Sequence, residues 1–177
     1  MINALWPAAI PEPNNARLAT LRYGGFKLPC DLREDLQRQF YFFGTYFLEE
    51  QLLSVWQQQA KGAKVIFDVG ANLGIYSFAA LAVEPNATVH AFEPTPEIAN
   101  QLRDAAALNG LSKLNVHEVA VSSITGHAKL NRYRGHTGTN GGIILFPDTP
   151  AMAIQTVCRP CASTISVSST LSAMSIC

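Results

Sequence analysis

One stretch, Lys64 to Ala80 (KVIFDVGANLGIYSFAA), constrains the fold of this chain more than any other. A short apolar run, Val65-Ile66-Phe67, ends in a carboxylate, Asp68. A loop with two glycines, Gly70 and Gly74, comes next, and Ile75, Phe78, Ala79 and Ala82 then recur with helical character. β-branched and aromatic residues in a run of this length predict a strand buried on both faces, as a parallel sheet requires. Glycine lets the backbone turn sharply and approach a ligand where a Cβ would collide. The stretch therefore reads as a strand–loop–helix element of the nucleotide-binding kind.

The spacing excludes two common ligands of such loops. A dinucleotide fingerprint needs glycines where this chain has Gly70, Asn72 and Ile75, so two of its three positions fail. The phosphate loop also fails, because Ile75 stands where its second glycine belongs, and no lysine or arginine lies between Val65 and Val89. The loop opens on a carboxylate instead, which suits a ligand carrying positive charge. S-adenosylmethionine, with a sulfonium and an ammonium, is such a ligand, and Asp68 is placed to face that end.

Asp68-Val69-Gly70-Ala71-Asn72-Leu73-Gly74-Ile75-Tyr76-Ser77 resembles the first motif of class I S-adenosylmethionine-dependent methyltransferases, and its Gly-Ala-Asn-x-Gly form is most similar to the FkbM family. A second match follows at the expected distance: Thr88-Val89-His90-Ala91-Phe92 reads as the next strand and ends at Glu93-Pro94. An acidic residue roughly 20 positions beyond a glycine loop can accept hydrogen bonds from both ribose hydroxyls. The resemblance runs from about Gly44 to Val157. It implies an α/β, Rossmann-like class I methyltransferase fold that binds S-adenosyl-L-methionine. Asp68, Gly70, Ala71, Asn72 and Gly74 would hold the methionine end, Glu93 the ribose, and Pro94 with Val121 and Ser122 the adenine. The implied reaction is methylation of a hydroxyl on a sugar, lipid or natural-product acceptor, governed mainly by positioning. No catalytic base is identifiable.

The 177 residues are 48% hydrophobic with a formal net charge of zero, enough for one domain with a sizeable core. Balanced charge leaves no electrostatic footprint for nucleic acid, and no apolar run approaches the ~18 residues of a membrane span. The first residues lack the charged start and apolar core of a signal peptide, so a cytoplasmic location is expected. Cys30 stands apart from Cys158, Cys161 and Cys177, which is no disulfide framework. His90, His117, His127 and His136 show no ligand spacing, so no metal site is expected. His136 is the one histidine weighed as a base, against the simpler reading of a surface loop residue.

Three regions follow: an irregular and helical lead-in over 1–61, a partial cofactor-binding domain over 62–157, and an atypical tail over 158–177. In the lead-in, one short strand is expected around Arg17 to Tyr23, and Asp31 is expected to cap a helix running through Leu36, Phe40 and Phe43. The aromatic cluster Phe40-Tyr41-Phe42-Phe43 with Tyr46-Phe47 is expected in the core, the alternative being a wall over the acceptor pocket. Glu49 to Ala60 predicts an amphipathic helix with Leu48, Leu52, Val55 and Trp56 on its apolar face, stopped at Lys61-Gly62. Thr95-Pro96-Glu97 predicts a capped helix start, and Asn109-Gly110 its end. Leu114 to Val121 alternates as a third strand. Two further strands, Gly126 to Tyr133 and Gly141 to Phe146, flank a Gly/Asn-rich loop in which Asn140 either meets the ligand or serves the turn.

The resemblance breaks at Val157. FkbM proteins continue there into a Leu-Asp-Asp stretch and a strand ending in Lys-Ile-Asp-Val-Glu-Gly, whereas Cys158 to Cys177 is serine-rich with one charged residue. Cys158-Arg-Pro-Cys161 has redox or half-zinc spacing without the context of either. The tail reads as a truncated or altered end. The sheet is then expected to be incomplete, with the glycine-loop strand exposed on one edge. The alternative to an active enzyme is a non-catalytic remnant that keeps the cofactor-binding half.

Overall fold

The computed structural model describes residues 17–121 fully and, beyond them, the backbone of five short strands. The chain begins with a hairpin, β1 (Arg17–Thr20) against β2 (Lys27–Cys30), antiparallel with Ala19 opposite Leu28. Helix α1 (Asp35–Phe43) starts four residues after the expected cap. Asp31 is occupied elsewhere: its carboxylate accepts from the Arg33 N–H and guanidinium, and its own N–H donates to Gln37. A 3-10 turn, Phe47–Glu49, leads into α2 (Glu50–Ala60).

The expected strand–loop–helix unit follows as β3 (Val65–Val69) and α3 (Ile75–Val83), and repeats as β4 (Thr88–Phe92) and α4 (Pro96–Leu108) before β5 (Leu114–His117). β3, β4 and β5 are parallel with β4 between the others, pairing Asp68 with Ala91 and Phe92 with His117. This is the Rossmann-like α/β arrangement the sequence predicts, in which parallel neighbours are joined through a helix. Ile66, Val89 and Ala91 are fully buried on one face, in a common core with Phe78, Ala79 and Leu102 of the two helices. That core is continuous with the lead-in, taking in Ala19, Leu28, Phe40, Leu53 and Trp56. Gln101 donates to the Pro29 carbonyl at 2.7 Å, and Asn109 bonds Lys27 through both main-chain groups, so α4 also anchors the hairpin.

Four expectations change. β3 is not buried on both faces: it alternates, with Val65, Phe67 and Val69 only half-buried. A parallel sheet needs a helix layer on each side for full burial, and among the described residues the helices lie on one. The third strand ends at His117, and Ala120–Val121 (β6) belongs to a separate small sheet, pairing parallel with β10 (Ala153–Gln155), which in turn pairs antiparallel with β7 (Gly126–His127). The two strands expected around the Gly/Asn-rich loop occur as a brief antiparallel ladder, β8 (Lys129–Leu130) against β9 (Ile143–Ile144). The glycine-loop strand does not present a free edge, because β11 (Ala173–Ile176), from the tail, pairs antiparallel with it from Val69 to Ile66.

The lead-in departs furthest from its pattern. On α2 the buried stripe is Leu53, Trp56 and Ala60, while Leu52 and Val55 face outward with Leu48, which is 82% exposed. Of the aromatic cluster only Phe40 is fully buried, and Phe42, Phe43 and Phe47 are exposed, with the Phe43 ring in tilted contact with the other two. Cys30 lies in the core, where burial pushes its thiol up to about 12.

Candidate ligand site at the strand ends

The loops leaving β3 and β4 meet at the carboxyl edge of the parallel sheet, where open α/β sheets place their ligands. The Gly70 and Ala71 N–H groups both donate to the Phe92 carbonyl, at 2.9 and 3.0 Å, which pins the glycine loop across the end of β4. Gly70 has φ +77° and open space where a Cβ would stand. Asn72 turns through φ +50°, a left-handed conformation that asparagine tolerates. Gly74 has φ +81°, and a Cβ there would lie 2.4 Å from Leu102 Cδ1, so glycine at this position lets α3 start against α4.

Glu93 ties the two loops together. Its Oε2 accepts from the Asn72 N–H at 2.9 Å and its Oε1 from the Thr95 N–H at 2.8 Å. The Thr95 hydroxyl also turns back to Glu93 and makes no cap for α4, which corrects the expected capping role. Burial holds the Glu93 carboxyl above its ordinary range, opposed by these hydrogen bonds. Each oxygen still has lone-pair capacity for a ligand hydroxyl.

Asp68 is fully buried. Its Oδ2 accepts from the Ser77 N–H at 3.0 Å and the Ser77 hydroxyl at 2.6 Å. Among the described residues its Oδ1 has no hydrogen-bond partner. Burial pushes the carboxyl up to about 6, the Ser77 bonds work against this, and the charges of Glu93 and Glu49 add to it. Among the described residues, the ion pairs join other groups and none reaches Asp68 or Glu93. A buried oxygen left unpaired costs on the order of 1–3 kcal/mol. The chemistry that relieves it is an N–H donor, best a charged one.

The structure therefore brings Asp68, Gly70, Ala71, Asn72, Gly74 and Glu93 together, with Pro94 in the turn that follows. Val121 lies in β6, paired to Gln155 outside the central sheet. Ser122, Asn140, His136 and the Cys158–Cys161 pair lie outside the described residues. The sequence reading singled out no role for Ser77, although a hydroxyl nine residues after a strand-end acid, in the first turn of the following helix, is a legible signal. It also missed His90 and His117, whose Nδ1 and Nε2 lie 2.9 Å apart. They sit on adjacent strands and share no short spacing. The two rings stack on each other and His117 also stacks with Phe92, and burial, then His90 and Arg103, lower the His117 pKa. Among the described residues no three potential ligands gather as a metal site, and no helix is long and apolar enough to cross a membrane.

No family model matches the sequence. Two solved structures share part of the arrangement at low identity. TYW2 of P. horikoshii, crystallised with MeSAdo, is 17% identical with a TM-score of 0.44, over 60% of this chain and 37% of that one. A SAM-dependent methyltransferase from Agrobacterium tumefaciens is 14% identical with a TM-score of 0.45, over 63% and 35%. In sequence, 87 residues are 37% identical to the 31-O-demethyl-FK506 methyltransferase FkbM of Streptomyces tacrolimicus, taking in 49% of this chain. The match covers 32% of that relative's length. The resemblance read in the glycine loop thus has a measured counterpart: over about half its length this chain is similar to an FkbM methyltransferase.

Proposed function

We propose that this chain is an S-adenosylmethionine-dependent methyltransferase that acts on a hydroxyl of a sugar, lipid or natural-product acceptor. The observation that carries the reading is Asp68 Oδ1, a buried carboxylate oxygen with no partner among the described residues, beside a glycine loop that lacks any cation. A ligand ammonium supplies both the missing donor and the missing charge. A phosphate ligand would bring like charge to the same place. The open space beside Gly70 admits close backbone approach, and Glu93 retains acceptor capacity for a vicinal diol.

When bound, S-adenosylmethionine would supply an electrophilic methyl on a cationic sulfur, leaving a neutral thioether after transfer to the acceptor oxygen, whose hydroxyl proton would pass to solvent. The residues of this chain hold and orient. Ser77 fixes Asp68, Asn72 fixes Glu93, and the Phe92 carbonyl fixes the loop between them. Positioning of this kind is the main source of rate in a direct displacement. The similarity to FkbM over half the chain supports the same reading.

Calorimetric titration of the purified chain with S-adenosylhomocysteine, beside Glu93→Ala, is the test. Micromolar binding in the wild type and its loss in the variant is the expected result. A folded wild-type chain that shows no heat of binding would reject the site.

A further inference from the structure

Helix α2 carries two apolar stripes, and the fold uses one of them. Leu53, Trp56 and Ala60 are buried, with Trp56 Nε1 donating to the Tyr76 carbonyl of α3 at 2.8 Å. Roughly a third of a turn round the helix, Leu52 and Val55 line a second stripe, which Leu48 of the preceding 3-10 turn extends. From Leu48 to Leu52 to Val55 the spacing is that of the seam between helices that pair side by side. All three are exposed.

The end of α1 widens the patch. Phe43 and Phe47 are exposed with ring centroids 4.8 Å apart, and Phe47 adjoins Leu48 in the chain. The Arg22 guanidinium stands 5.9 Å from the centre of the Phe47 ring and bonds Glu50 at 3.1 Å, so an ion pair borders the patch and its apolar centre carries no charge. These five residues expose on the order of 500 Å² together, taking about 200 Å² for each whole side chain. A standard interface buries about 800 Å² per partner, roughly 60% of it apolar. The patch therefore supplies the apolar share of one side of an interface.

The border of the patch selects the partner. A helix that rests on a lipid surface carries lysine and arginine beside its apolar stripe. Helix α2 contains neither, and exposes Gln51, Gln58 and Gln59 instead. Its charges stand at its two ends with opposite sign: Glu49 and Glu50 at the start, and exposed Lys61 directly after the last residue. Two such helices laid antiparallel bring the acidic start of each towards the basic end of the other and oppose their dipoles. That arrangement has a two-fold axis, so one patch serves both copies and the assembly closes at two.

We infer that the outer stripe of α2, with Phe43 and Phe47, is a self-association surface on which two copies of this chain pair antiparallel. The inner stripe of the helix holds α3 and the outer stripe holds the partner. The inference is independent of the ligand proposed above.

Sedimentation velocity of the full chain, from about 1 to 100 µM, is the experiment, with Leu48→Glu, Val55→Glu and Lys61→Glu beside the wild type. All three positions are exposed, so the variants are expected to keep the wild-type circular dichroism and melting temperature. The wild type is expected to pass from monomer to dimer with a midpoint on the order of 10 µM. Leu48→Glu and Val55→Glu, which bury a charge in the contact, are expected to weaken the dimer at least tenfold. Lys61→Glu is expected to weaken it about threefold at low salt and less at high salt. A folded wild type that stays monomeric over the whole range overturns the inference, and if that monomer floats with phosphatidylcholine vesicles the patch belongs to a lipid surface. A dimer indifferent to Leu48→Glu and Val55→Glu, or a wild type that grows without limit beyond two copies, overturns it as well.

Discussion

Asp68 is the residue on which stability and binding pull in opposite directions. Its carboxyl is pushed from 3.8 up to about 6 in the folded chain, chiefly by burial. Between those values the folded state holds more protons than the unfolded one, so stability falls as pH rises through the window and levels off above it. The ionised carboxylate is thus a net cost at neutral pH, and ligand affinity carries the opposite dependence, weakening as pH drops through about 6. Asp68→Asn is therefore expected to stabilise the ligand-free chain by on the order of 1–2 kcal/mol near pH 7.5. That advantage should disappear near pH 4, and ligand binding should be lost throughout. Thermal melts across pH, paired with titrations, check both halves; a variant less stable than wild type at neutral pH would count against a buried charge at this position. Asp68, Gly70 and Glu93 are legible in the sequence because strand ends and glycine turns leave short-range marks. The His90–His117 pair is not, since nothing local says that two residues on different strands stand side by side.

At the scale of elements, α2 shows how far periodicity alone can decide a packing face. Its apolar residues cover more than one stripe, and the sequence favours Leu48, Leu52 and Val55 with Trp56 as the inward one. Only Trp56 goes inward, because Trp56 Nε1 meets the Tyr76 carbonyl and Gln57 meets that of Ala79. Those contacts rotate the helix until Leu53 and Ala60 face α3. Leu53→Ala is expected to cost about 3 kcal/mol, as a fully buried truncation does. Leu52→Ala should stay within about 0.5 kcal/mol. Denaturant unfolding of the two variants separates the faces directly, and similar losses in both would mean the helix is rotated from the position described here. Two expected side-chain caps are not made for a related reason: Asp31 is engaged by Arg33, and α1 starts later, while Thr95 turns to Glu93 although α4 still starts at Pro96 as expected.

For the whole molecule, the consequential contact is between the glycine-loop strand and the tail. β11 supplies the main-chain partners along Ile66 to Val69 that the sequence reading leaves unpaired. Removing residues 173–177 is expected to bare that edge and to raise light scattering at unchanged protein concentration, as unpaired strand edges recruit one another. A monodisperse truncated chain would show that the edge is protected by other means. The sequence by itself determined the parallel strand–helix repeat, the glycine loop and the two acids at the strand ends, because each depends on residues close together along the chain. Tertiary structure alone decided the rest: which face of α2 is buried, that His90 meets His117, and that a serine-rich tail pairs with the glycine-loop strand. Each of these joins residues twenty or more positions apart, and such contacts are selected by the packing of the whole chain, which no local pattern records.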